Sequence, residues 1–163
     1  MKKLTVYLYR FIYIFSACLT VGAFTFANLT ALSPTEYGGG NGNIGLLLFA
    51  FLFPFIIIFI AMSISYLHEY LYRKLEMNTI RVVVGVSFLG IILILSMTLI
   101  KAFRLRSLLA EVNPMYQEET TIPLLTMNSN AVFFNFFTFI LLLLVCSFIS
   151  GIMAFKDKQK SSQ

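Results

Sequence analysis

Four apolar runs divide the chain, Phe11 to Leu32, Ile44 to Leu67, Val82 to Ile100 and Ala131 to Phe155, and none contains Asp, Glu, Lys, Arg or His. The shortest, at 19 residues, makes a helix about 28 Å long at 1.5 Å per residue. A hydrocarbon layer about 30 Å thick is crossed by about 20 apolar residues, and only a helix or a closed barrel satisfies its own backbone there. The pattern predicts an all-α integral membrane protein. It is expected to be one domain, residues 1–163, with four transmembrane helices in an antiparallel bundle and spans at about 11–32, 44–67, 82–100 and 131–155.

The first run follows Lys2, Lys3 and Arg10, a charge pattern that signal peptides share. Its 22 residues exceed the 7 to 15 or so of a signal peptide's apolar region. An uncleaved helix is therefore expected, with cleavage after Ala27 as the alternative. Ser16, Thr20, Ala23, Ala27 and Ala31 recur at helical spacing along one face. Ser147, Ser150, Gly151 and Ala154 do the same in the fourth run. Small residues let helix backbones approach closely in lipid, so both faces are expected to point inward. Pro54 sits near the middle of the second run, where a missing backbone donor predicts a kink.

Between the runs, Ser33 to Asn43 reads as a glycine-rich turn. Its Gly40-x-Gly42-x-x-Gly45 lacks the strand and helix context that would make it a nucleotide fingerprint. In the connector His68 to Arg81, Glu69 and Arg73 are spaced to pair across one helical turn. Tyr72 stands where a zinc-protease motif beginning at His68 would need histidine. The longest segment outside the runs is Lys101 to Asn130. Its first part is a short amphipathic helix by periodicity, with Ala102, Leu105, Leu109 and Val112 opposite Arg104, Ser107 and Glu111. Pro114 ends it, and Pro123 predicts an irregular path through 120–127.

Charge sets the orientation. Nine cations, Lys2, Lys3, Arg10, Arg73, Lys74, Arg81, Lys156, Lys158 and Lys160, fall on the side of the termini, against Lys101, Arg104 and Arg106 on the other. The positive-inside rule puts both termini in the cytoplasm and 101–130 outside, with the three outer cations reaching lipid phosphates. The surplus of Lys and Arg thus points to anionic lipid rather than nucleic acid, since it clusters at span ends. Only 12% of the 163 residues are charged, about half the share in a soluble domain. The phenylalanine, isoleucine, lysine and asparagine bias suggests a bacterial source and a multi-pass plasma-membrane protein.

Little chemistry is on offer. Asp157 is the only aspartate, and Cys18 and Cys146 lie inside apolar runs without a pairing framework. No carboxylate lies inside a span, as a proton-coupled exporter would need. No catalytic residue, cofactor or metal site is expected. The expected role is that of a non-enzymatic accessory, assembly or immunity-type partner of another membrane or secreted protein. Candidate partner-binding residues are Arg104, Arg106, Glu111, Tyr116, Glu118 and Glu119. The alternative is a small transporter or channel subunit acting as a homo-oligomer. Asn28 and Asn135, each about one turn inside the outer boundary, are expected to hydrogen-bond between the first and fourth helices.

Overall fold

The computed structural model describes residues 2–36, 42–113, 116 and 119–161. The long helices are α1, Lys2–Leu29, α2, Ile44–Lys74, and α3, Met77–Val112; a short α4, Asn130–Phe133, precedes α5, Phe136–Ser161. Four helical segments are long and apolar enough to cross a membrane, the fourth formed by α4 and α5 together. The third span and the amphipathic stretch beyond it are a single helix, because no helix-breaking residue occurs before Asn113 and Pro114. At 36 residues it is about 54 Å long, so it outruns any hydrocarbon layer. The helix α2 runs through Pro54 and ends only at Lys74. The turn at 37–41 lies outside the described residues.

Small residues decide how the helices meet. Ser16, Thr20, Ala23 and Ala27 are all buried, and the hydroxyls of Ser16 and Thr20 donate to carbonyls of their own helix. These bonds satisfy both hydroxyl donors at the α1 and α2 contact. Around this contact Tyr9 and Tyr13 meet Tyr66, Tyr13 meets Phe59, and Phe24 meets Phe49. The small face of α5 lies between two neighbours. Toward α2, the Ser150 hydroxyl sits 3.0 Å from the Ile64 carbonyl and 2.7 Å from that of Cys146. Toward α3, a Cβ on Gly151 would stand 2.6 Å from Val84 Cγ2. Leu71, Ile80 and Ala154 form a buried cluster where α2, α3 and α5 converge.

The resulting order across the bundle is α1, α2, α5, α3. Neighbours in this order pack on each other, whereas among the described residues α1 and α3 make no comparable contact. The side between them is bridged only near one end, where α4 touches both.

At that end a polar network joins three elements. Asn43 Nδ2 donates to Asn130 Oδ1 at 2.7 Å, and Asn130 Nδ2 donates back to Asn43 Oδ1 at 2.9 Å. Asn130 also reaches Thr30 Oγ1 at 3.3 Å, beyond the end of α1. The same Asn43 oxygen accepts the Gly45 and Leu46 N–H groups and so caps α2. Asn130 is fully buried. Here two amides satisfy each other where neither could remain unpaired without cost.

The approach requires glycine at position 45, since a Cβ there would lie 2.5 Å from Thr30 Oγ1, 2.8 Å from Asn130 Nδ2 and 3.0 Å from the Ala27 Cα. At Gly90 the added Cβ would meet only the flexible tip of Leu144, at 2.8 Å. Gly45→Ala should therefore destabilise the protein by about 1 to 3 kcal/mol, and Gly90→Ala by clearly less. Unfolding midpoints of the two variants in detergent check the ranking.

Candidate functional site

Beyond α3 the chain turns back and forms a cap. Arg106 makes the turn, donating from Nε to the Glu119 carbonyl at 2.6 Å and from Nη2 to the Thr120 carbonyl at 2.7 Å. Ser107 Oγ is 2.8 Å from Glu119 Oε1. A 3₁₀ turn, Glu119–Thr121, follows, and Ile122 is buried beside it. The returning strand of chain then holds the loop after α1. Asn128 Nδ2 donates to the Ser33 carbonyl at 2.7 Å, Asn113 Nδ2 to the Pro34 carbonyl at 3.3 Å, and Leu32 N to the Met127 carbonyl at 3.3 Å.

This arrangement sorts the candidate partner-binding residues. The planar donor fork of Arg106 fits two successive carbonyls, so this residue holds the cap together instead of reaching lipid phosphate, and Glu119 is its neighbour in that clamp. Arg104 and Glu111 are exposed on the outer face of α3. Tyr116 is half-buried, and its N–H donates to the Asn113 carbonyl. Glu118 lies outside the described residues. Leu108, Val112, Leu124 and Leu125 are also exposed in the cap.

Below the cap, the fourth span breaks at Phe134 and Asn135. A break in lipid strands the last carbonyls of one helix and the first N–H groups of the next. Asn135 serves both. Its Nδ2 donates to the Ala131 and Val132 carbonyls at 2.9 and 2.8 Å, and its Oδ1 accepts the N–H groups of Phe137 at 2.9 Å and Thr138 at 3.2 Å. Thr138 Oγ1 accepts the Asn135 N–H at 2.9 Å, completing a reciprocal cap. An uninterrupted fourth helix was expected; an asparagine that bonds both broken ends makes the interruption tolerable.

The break faces the side of the bundle left open between α1 and α3, and a cleft lies on each flank. The larger, about 300 Å³, is lined by Val21, Phe24, Thr25, Asn28 and Leu29 of α1 and by Phe134, Asn135, Phe136 and Phe139. The smaller, about 30 Å³, lies between Thr98 and Lys101 of α3 and Asn135 and Phe137. Lys101 Nζ sits over the Phe137 ring, 5.9 Å from its centre. Phe136 and Phe137 are 71% and 57% exposed between the two clefts. Asn28 and Asn135, expected to hydrogen-bond, both line the larger cleft. The Asn135 amide is committed to the break, and no hydrogen bond joins the pair among the described residues. Side-chain hydrogen bonds between elements at this end run through Asn43, Asn130 and Thr30, beside those of Asn113 and Asn128. Depth alone could not select those residues, although the run Thr126-Met-Asn-Ser-Asn130 flags a polar cluster at the foot of a span.

Among the described residues no group of three His, Cys, Asp or Glu side chains is placed to hold a metal ion. His68 and Asp157, at the opposite end, form a 3.0 Å hydrogen bond between α2 and α5, and Lys158 donates to the Leu75 carbonyl beside it. Arg73 pairs with Glu69 at 3.0 Å, as their spacing predicts. No protein-family model, curated protein or solved structure matches this chain.

Replacing Asn135 by Ala removes the oxygen that caps α5. A loss of about 1 kcal/mol is expected, with faster amide exchange confined to Phe137 and Thr138. Hydrogen exchange followed by mass spectrometry of the variant in detergent checks both.

Proposed function

We propose that this is a non-enzymatic membrane protein that acts as an accessory, assembly or immunity-type partner of a second membrane or secreted protein. The observation that carries this reading is the open side of the bundle. Three of the four helix-to-helix seams are packed, the fourth is not, and the unfilled seam presents Phe136 and Phe137 between two clefts. A helix from a partner would complete the seam with ordinary packing. The cap adds exposed apolar side chains on a segment held by its own hydrogen bonds, so little conformational entropy is lost when they are covered.

The bundle is antiparallel on this reading, since residues late in α1 meet residues early in α2 and the reverse. Both termini lie in the cytoplasm and the cap lies outside the plasma membrane, by the distribution of Lys and Arg, and the Phe, Ile, Lys and Asn bias suits a bacterial cell. Arg104 and Glu111, exposed on the cap, are the charged residues that a partner would meet first.

Orientation is checked with single cysteines at Leu125 and Ser161 and a membrane-impermeant maleimide on intact cells. The Leu125 site should label and the Ser161 site should not. Partnering is checked with a photoreactive residue placed in turn at Phe137 and Leu125 in living cells. The same partner protein is expected from both positions. Adducts with this chain alone would support the homo-oligomeric transporter or channel reading, and adducts with lipid alone would overturn partnering.

A further inference from the structure

At the end of the bundle opposite the cap, α3 and α5 enclose a second feature with a distinct chemistry. A groove of about 430 Å³ runs between them, lined by Arg81, Val84 and Gly85 of α3 and by Ile152, Phe155, Lys156 and Gln159 of α5. The two cations stand at its mouth, one on each wall. One helical turn further along lie Gly85, four residues beyond Arg81, and Ile152, four residues before Lys156. The groove therefore passes from a cationic mouth to an apolar floor over a single turn on both helices.

Each wall is prepared for an amphiphilic anion. The Arg81 guanidinium rests on the Phe155 ring, its Cζ 5.3 Å from the ring centre, which holds the charge at the mouth with less freedom than a bare surface arginine has. Gly85 is exposed, and a Cβ built on it would meet nothing within 4 Å. The floor is thus open for a methylene chain. Among the described residues, neither Arg81 nor Lys156 has a carboxylate within ion-pair distance, whereas the nearby Arg73 is paired with Glu69 and Asp157 with His68. Two cations left unneutralised over an apolar slot match a lipid phosphate with an acyl chain below it.

We infer that the groove between Arg81 and Lys156 is a binding site for one anionic phospholipid, its phosphate held by these two cations and an acyl chain lying along Val84, Gly85 and Ile152. The site requires only that the helices span a bilayer; it does not depend on the proposed partner or on which leaflet it faces. Its chemical consequence is selectivity. A zwitterionic lipid carries a cation next to its phosphate and gains less from the same two side chains.

The test uses the full chain, delipidated in detergent, with native mass spectrometry in an equimolar mixture of dioleoyl phosphatidylglycerol and dioleoyl phosphatidylcholine. The anionic lipid should be retained in preference on the order of tenfold, from two cations near one headgroup. In the Arg81→Gln, Lys156→Gln double variant the ratio should fall to parity. Gly85→Leu keeps both charges but fills the floor, and should reduce phosphatidylglycerol adducts severalfold. Lys160→Gln, outside the groove, should leave the ratio unchanged. Parity in the unaltered chain, full preference in the double variant, or an equal loss on Lys160→Gln would each overturn the site. If the double variant fails to fold, the Gly85→Leu result decides, because that position is exposed.

Discussion

A bilayer interior offers no hydrogen bonds, so every backbone group at a helix end or break within or near it needs a partner from the chain. Among the described residues, asparagine side chains supply several of those partners. Asn43 caps α2 and pairs with Asn130; Asn130 reaches the end of α1; Asn135 bonds both sides of the break in the fourth span; Asn113 and Asn128 hold the loop after α1. An amide side chain carries donors and an acceptor without a net charge, so it can serve orphaned N–H and C=O groups alike. Lysine or aspartate at these positions would add the cost of burying an ion.

The amide pair also governs how closely the helices approach. Because Asn130 sits directly over Gly45, and Gly45 over Ala27, the start of α2 can come against the end of α1. The contact continues down α1 through Thr20 and Ser16, whose hydroxyls are satisfied within the helix. On the other side of α2, α5 uses Ser150, Gly151 and Ala154 to lie against both α2 and α3. Small residues therefore place α5 between α2 and α3 and leave α1 and α3 at the two margins. Among the described residues α4, at the broken end of the fourth span, touches both margins. The clefts, the exposed phenylalanines and the capped break share that crossing point in one part of an otherwise lipid-facing molecule.

The cap explains why charge on 101–130 was a poor guide to its role. Arg106 belongs to an apparent surface face of an amphipathic helix, yet its guanidinium holds a return of the chain more than ten residues away. Arg104, two residues earlier, points outward. Periodicity assigns both to the polar side of the helix and cannot distinguish a clamp from a free charge. That distinction depends on where a carbonyl far along the chain comes to lie.

By itself, the sequence determined that the chain is helical and where its apolar helices lie, which faces of α1 and α5 are small and buried, and that Glu69 and Arg73 pair. Each of these follows from residues no more than a few turns apart, within reach of a 3.6-residue period. Tertiary structure alone decided that Asn43 meets Asn130, that Arg106 closes the cap, and that one seam of the bundle stays open. These depend on contacts between residues 13 to 87 positions apart or on the packing order of whole helices. Lipid is apolar on every side of a helix, so hydropathy marks which residues are membrane-embedded but carries almost no information about which neighbour each one faces.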